Sequence, residues 1–547
     1  MACRRSQVRS LSGPPFELIR TRRKAGFLFA HLGRRISLPL RLWRAQRVSP
    51  AISNKTNAER RVFYLPIWAG AVRSVAAVEG ASVPKIHMSK SATPTVIYYN
   101  KYMSFYKDRV FWFIFAALAL VKIVAFLGIY FFHPLGESVL SFPDSLSYVY
   151  PAVTLLQDGH LWDLYTVSPM LFRTPGYPVF LALVQLLFHN MTWAVALVQN
   201  VLSLLLLIPI YLSAKQLAGK GAARWATAFC AASTLYFSLS FAVLSEILCT
   251  FLLAWFVFFL LQFLINPQGK TLLCSALFLS AAVYVRPAAY YFFIPMTVLL
   301  VCFALTRWIR FSIYKISVCF LVPVLCLLGM WHLRNAVQTG FSGFTTVGAY
   351  NLYFWNSDYV AHKYHLSVQQ AQTLLQEALP AGFSSRTPRQ QNQIYKAAAR
   401  PLLRASFTYK LTRAPWWAVK TLLGGNTTHL HHLLLGEEKD NHKKLDQLGS
   451  FPLGLHDWIY YLLFVTAMGE AFLVALLGAT GLVLLWKKHK PQTFFLSVYC
   501  CYFWGIGSVF FGAYARFRAP FEFVLCVAAG VAAQACYKFY KKLQTKR

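Results

Sequence analysis

The residues best suited to chemistry in this 547-residue chain are a few acids and arginines at the edges of long apolar runs. Only 18 residues are Asp or Glu, and four of them (Glu137, Asp144, Asp158 and Asp163) fall within 133–192. That stretch reads PDSLSYVYPA from Pro143, DGHLWDLY from Asp158 and FRTPGYP from Phe172. Asp144 stands just beyond an apolar run. Desolvation beside apolar surface raises a carboxylate's basicity, which suits a general base that takes a proton from an acceptor hydroxyl. The position equally fits an N-terminal helix cap. Glu246, in LSEILCTFLLAW, opens a later apolar run. An ionisable group there is costly unless paired or functional, although a helix dipole also favours acid in its first turn. Arg173, Arg286, Arg334, Arg516 and Arg518 flank apolar runs as well. Arginine is the residue type for gripping a lipid phosphate or pyrophosphate through paired hydrogen bonds; snorkelling to lipid headgroups is its plainer use there.

The elements that position these residues are membrane helices. The chain is 57% hydrophobic and 13% charged. Runs such as 111–132 and 247–265 reach the roughly 20 residues that cross a bilayer core, and a spanning segment in lipid must satisfy its own backbone, so they are helices. Spans are expected at 110–132, 193–213, 223–242, 246–265, 271–286, 288–306, 314–332, 458–486, 492–512 and 519–537, about ten in all. The apolar piece 177–188 is short and reads as interfacial or re-entrant. The fold expected is an all-α, polytopic bundle.

The net charge of +36 lies in the N-terminal tail and in short connections between spans. This is the positive-inside pattern, and basic tails also favour anionic membrane lipids. No nucleic-acid recognition motif accompanies the charge, so nucleic acid is not an expected partner. If the spans alternate, Lys107, Lys215, Arg224, Lys270, Arg310 and Lys488 share the cytoplasmic side. The loop 133–192, the junctions at Glu246 and Arg286, the segment 333–457 and the junction 513–518 then face outward. The divisions expected are a basic, disordered tail (1–104), a membrane core with its first outer loop (105–332), an extracytoplasmic, mostly helical segment (333–457) and C-terminal spans with a basic cytoplasmic tail (458–547). Whether 1–104 belongs to the mature protein is open.

Other features carry less. Of 11 Cys, only Cys3 lies outside apolar segments, which argues against a disulfide framework. Lys122 sits mid-span, with Glu470 and Glu522 as candidate partners. His429, His431 and His432 form a cluster that could bind metal, but no second ligand set matches it. Asn190 and Asn426 begin glycosylation acceptor patterns on the outward side. Asp158 and Asp163 read as solvated loop charges. No GxxxxGK[ST] or HExxH is present, so nothing points to an ATP-driven pump or a zinc protease.

Several motifs fall in a telling order: the acidic PDS..Y after the first span, RTPGYPxFLAL, the Ser-Glu junction at Glu246, VRP at Arg286, WHLRN at Arg334 and RFR.P at Arg516. Together they resemble the GT-C glycosyltransferases that use polyprenyl-phosphate sugars, the aminoarabinose transferase-like enzymes and protein mannosyltransferases, over about 105–537. The resemblance implies an outer-face site in a bacterial plasma membrane. Its substrates would be a polyprenyl-phosphate-linked sugar donor and a lipid, glycan or protein acceptor. Asp144 would be the base and Glu246 the second acid. Arg173, Arg286, Arg334 and Arg518 would hold the donor phosphate, and Tyr148 and Tyr177 would line the substrate. Family members often double the acid of the first motif, whereas Ser145 follows Asp144 here; a divalent metal is left open as a cofactor. The alternatives are a transporter or flippase of lipid-linked glycans, a glycan polymerase or ligase, and a non-catalytic scaffold. Convergence of Asp144 and Glu246 separates the transferase from these.

Overall fold

A computed structural model describes residues 106–132, 142, 144–164, 168–435, 455–510 and 514–545. The tail 1–104, Glu137 and Pro143 lie outside them. Among the described residues, seven helices are long and apolar enough to cross a membrane: Arg109–Phe132, Trp193–Ala218, Glu246–Ile265, Pro287–Leu305, Ile313–Thr339, Trp458–Trp486 and Ala515–Gln544. At about 1.5 Å rise per residue, even the 19-residue Pro287–Leu305 nearly matches a ~30 Å hydrocarbon core. The chain is an integral, multi-pass, all-α membrane protein. Among the described residues no strand forms, only an isolated bridge between Trp162 and Pro169.

Burial sorts the helices. Ala515–Gln544 and Glu246–Ile265 are mostly enclosed, whereas Arg109–Phe132 leaves Phe113, Val124, Phe131 and Phe132 exposed on the bundle surface. Close helix contact in lipid relies on small residues. Gly481 illustrates this: a Cβ there would overlap the backbone carbonyl of Ala528, so only glycine lets Leu455–Trp486 approach Ala519–Gln544 so closely.

Three of the ten expected spans are not among these seven helices. Gly269–Val285, over 271–286, is a shorter apolar helix, as is Gly176–Phe188, which the sequence already marked as short. Lys490–Gly505 continues as a wider π-turn, Ile506–Phe510. The run 223–242 is broken into Lys220–Ala231 and Thr234–Leu239. The break has a polar cause. Ser233 caps the second helix by accepting from Tyr236 N, and Glu470 Oε2 accepts from Thr234 N at 3.0 Å and from its hydroxyl at 2.7 Å. Glu522 in turn binds Ser233 Oγ and, at 2.7 Å, Arg518 Nε. Glu470 and Glu522 therefore hold this break and are not ion-paired to Lys122. Lys122 Nζ instead donates to Asn200 Oδ1 at 3.0 Å and Ser240 Oγ at 2.8 Å, beneath the Phe237 ring.

The segment after Thr339 folds into Val347–Phe354, Ser357–Tyr364, Val368–Glu377 and the 36-residue Pro388–Leu423. The helices Val368–Glu377 and Pro388–Leu423 are each opened by a reciprocal cap, Ser367 with Gln370 and Thr387 with Gln390. They enclose a small core of Tyr353, Phe354, Val360, Ala361, Ala371, Leu375 and Ala399. A backbone bond from Thr346 N to Leu171 O at 2.9 Å ties this segment to the first loop. The opposite end of the bundle is clamped differently: Asp108, just before the first span, accepts from Arg224 Nε at 3.0 Å and from Tyr211 at 2.7 Å.

Candidate active site

Asp144 precedes the helix Ser145–Asp158, but its side chain makes no capping hydrogen bond. Both oxygens are spent on arginine. Oδ1 lies 2.6 Å from Arg173 Nη2, and Oδ2 lies 2.9 Å from Arg516 Nη2. Arg173 is fixed from the same helix: its Nε donates to Ser147 Oγ at 2.8 Å, one Nη donates to Tyr148 OH at 3.4 Å, and its guanidinium lies 4.5 Å from the Tyr148 ring centroid. Burial pushes the Asp144 carboxyl up, but the charges and hydrogen bonds of Arg173 and Arg516 outweigh it and hold it at about 2, well below the usual range.

Glu246 opens the helix Glu246–Ile265, and its side chain is 2% exposed. Oε1 pairs with Arg286 at 2.5 Å and stands 3.9 Å from Arg516. Oε2 is buried with no hydrogen-bond partner. Arg516 thus bridges the two acids, and Asp144, Arg173, Glu246, Arg286 and Arg516, far apart in sequence, meet at one place. All five were expected on the outward side.

Local folding explains how they are held. Thr174 donates to Val285 O at 3.0 Å, beside Arg286. At Gly176 a Cβ would stand 2.7 Å from Tyr284 O, so the turn of RTPGYP needs glycine to lie against the end of Gly269–Val285. The bridge at Trp162 and Pro169 folds the loop back, and Asp163 Oδ2 accepts from Phe172 N at 3.1 Å. Asp163 is buried rather than solvated: it fixes the backbone next to Arg173. Asp158 is exposed, as expected. Tyr148 meets Ser245 Oγ at 3.2 Å and packs edge-on against Tyr177, which is fully buried and donates to Gln199 Oε1 at 3.0 Å.

Arg334 and Arg518 are elsewhere. Arg334 donates to Met170 O at 2.9 Å and to Asn335 Oδ1, and so braces the loop. Arg518 is buried; it binds Glu522 and donates to the carbonyls of Leu422 and Gly424. Arg516, noted in the sequence only as one of the outward arginines, is the residue of RFR.P that reaches the acids. Guanidiniums face both oxygens of Asp144 and Oε1 of Glu246, which leaves Oε2 of Glu246 as the carboxylate oxygen of this cluster without a partner. Among the described residues no group of three His, Cys, Asp or Glu converges. His429 faces Ser238 O and His431 packs on Tyr460; the His432 side chain is outside the description. Asn190 is exposed, whereas Asn426 Nδ2 donates inward to Ser238 Oγ at 3.0 Å.

The fold and site thus define an all-α membrane protein with a buried-to-half-buried cluster of acids and arginines at one end. Residues 172–331 match the family model described as Dolichyl-phosphate-mannose-protein mannosyltransferase. The matched stretch holds Arg173, Tyr177, Glu246 and Arg286, and it bears out the resemblance read from the motifs. Among the solved structures similar to the chain are the following three. The first is Archaeoglobus fulgidus oligosaccharyltransferase in the apo form (14% identity, TM-score 0.43, 81% of this chain and 52% of that one). The second is the archaeal oligosaccharyltransferase AglB from the same organism, in complex with an inhibitory peptide and a dolichol-phosphate (14%, 0.41, 79% and 52%). The third is ArnT from Cupriavidus metallidurans bound to undecaprenyl phosphate (15%, 0.33, 77% and 77%). The chain spans about half the length of the archaeal enzyme. No curated protein sequence matches it.

Proposed function

We propose that the chain is a membrane glycosyltransferase that moves a sugar from a polyprenyl-phosphate carrier to a hydroxyl of a lipid, glycan or protein acceptor. The observation that carries this reading is the convergence of Asp144 and Glu246 on Arg516, with Arg173 and Arg286 beside them. The family match over 172–331 supports it. A donor already activated on a lipid phosphate needs no nucleotide. It needs a base at the acceptor and cations at the leaving phosphate.

In the proposed step the acceptor oxygen attacks the anomeric carbon. The bond from that carbon to the phosphate oxygen breaks, and its electron pair stays on the phosphate. The acceptor proton passes to Asp144. Direct displacement inverts the anomeric centre. The unpartnered Oε2 of Glu246 is an acceptor for a substrate hydroxyl. Arg173 and Arg516 face the phosphate, Arg286 stays on Glu246 beside them, and Tyr148, backed by Tyr177, stands next to the substrate. Arg334 and Arg518 act as braces. The setting proposed is a bacterial plasma membrane with the site, and the segment 333–457, on the outer face; the positive-inside charge pattern supports that orientation.

The test is reconstitution of the full chain in vesicles with a radiolabelled polyprenyl-phosphate sugar and cell-envelope extract. Transfer moves label into the acceptor fraction and releases polyprenyl phosphate. Label that only changes leaflet would replace this reading with a flippase.

A further inference from the structure

We infer that Asp144 stands in for the donor phosphate: without donor its carboxylate occupies Arg173 and Arg516, and the arriving phosphate takes those guanidiniums and so releases the carboxylate to act as base. This rests on the transferase reading and adds to it how the site is armed.

Charge and geometry carry the inference. The cluster holds three guanidiniums and two carboxylates, which leaves one positive charge in excess. A sugar–phosphate–polyprenol diester brings one negative charge. Arg286 is not the cation to be borrowed, because it neutralises Glu246 at a position 2% exposed, and leaving that carboxylate uncompensated is costly. The Asp144 contacts lie on the open side of the cluster: the carboxylate is 32% exposed, and Arg173 and Arg516 are 15% and 22% exposed. Arg516 is already shared, at 2.9 Å from Asp144 and 3.9 Å from Glu246, so a small swing of one guanidinium redistributes it. A carboxylate and a phosphodiester offer arginine the same thing, two oxygens sharing one negative charge, and arginine binds both in paired fashion.

The consequence is chemical. Gripped by two guanidiniums, Asp144 is too weak a base to hold an acceptor proton. With the guanidiniums drawn to phosphate, burial raises the carboxyl instead. Among the described residues, the charged and titratable groups that face it are Arg173 from the loop, Arg516 from the last span's entry turn, Glu246 and Arg286 from the neighbouring helix ends, and Tyr148 from its own helix. None of the others offers it a replacement cation, since Arg286 stays on Glu246. Linkage makes the effect reciprocal: whatever raises Asp144's proton affinity on donor binding also tightens donor binding when Asp144 is neutral.

The probe is farnesyl methyl phosphate, a diester whose single charge does not change between pH 4 and 8, titrated into the purified full chain in detergent. For Asp144 to become a working base its carboxyl must rise by at least about two pH units, so Asp144→Asn should bind the diester roughly 100-fold more tightly at pH 7. A rise of about two pH units places the bound-state carboxyl near 4, so wild-type affinity should increase about two-fold as pH falls from 6 to 4, and more for a larger rise, with proton uptake, while the Asn variant stays flat. The wild-type measurement keeps the test decisive even where the variant folds poorly. Equal or weaker binding by a folded Asn variant, or wild-type affinity that is flat from pH 6 to 4, overturns the inference and leaves the transferase reading standing. A diester that binds neither protein overturns both.

Discussion

The pair of Glu246 and Arg286 gives a stability prediction whose size follows from its burial. Glu246 is 2% exposed and Arg286 13%, with a contact of 2.5 Å. Removing one partner of a buried pair costs about 3–5 kcal/mol, because the other charge remains desolvated and alone. Arg286→Met leaves Glu246 with only Arg516, at 3.9 Å, so the loss should fall near the lower end, about 3 kcal/mol. Glu246→Gln is nearly isosteric and leaves Arg286, the more exposed partner, unpaired; the cost should be about 1–3 kcal/mol. The double variant Glu246→Gln, Arg286→Met removes both charges and should recover much of the loss. Residues in direct contact couple by about 0.5–3 kcal/mol, and this pair should lie in the upper half of that range. The assay is denaturant unfolding of purified wild type, both single variants and the double variant in one detergent, followed by tryptophan fluorescence. The double variant should be folded yet inactive. An Arg286→Met protein within about 1 kcal/mol of wild type, or a coupling energy near zero, would refute the claim that a buried ion pair anchors this end of the helix Glu246–Ile265.

Three further predictions follow from the same geometry. Gly176→Ala places a Cβ 2.7 Å from Tyr284 O, so it should cost about 1–3 kcal/mol and reduce transfer by shifting the turn next to Arg173; unfolding and transfer assays on the same preparation check both. Asp163→Ala removes the acceptor of Phe172 N–H, with an expected cost of about 1–3 kcal/mol and weaker diester binding, whereas a merely solvated Asp163 would change neither. Asp144 has its carboxyl held down in the folded protein, so its stabilising contribution is complete above the ordinary aspartate range near pH 4 and is lost as pH falls toward about 2. Unfolding measured across that window should show a pH dependence that is smaller in Asp144→Asn; Asp108, held down by Arg224 and Tyr211, supplies part of the remainder.

Much of the site was legible in the sequence for one physical reason: acid is scarce in a chain that spans a membrane, so Asp144 and Glu246 stand out at span ends, and outward arginines beside them invite pairing. Arg173 and Arg286 follow from the same contrast. The choice between Arg516 and Arg518 was not legible. They sit two residues apart in the tight turn Ala515–Arg518, where each residue advances about 120°, so they diverge, and Arg518 turns to Glu522 one helical turn on. Asp163 was missed because its partner is a backbone N–H, which has no sequence signature. The break at Ser233 was hidden for a related reason: apolar content suggested one span over 223–242, while the acids that hold the break, Glu470 and Glu522, come from distant helices. The mostly helical character of 333–457 was legible because helix caps and periodicity, as at Val368–Glu377 and Pro388–Leu423, are local.

The most direct test of the central claim is transfer by Asp144→Asn in vesicles, scored on protein that still unfolds cooperatively and still binds farnesyl methyl phosphate. A positioned general base is worth on the order of 100- to 10,000-fold in rate. The account predicts a loss of that size, with label retained on the polyprenyl carrier. Transfer within a few-fold of wild type by a folded, donor-binding Asn variant would contradict it.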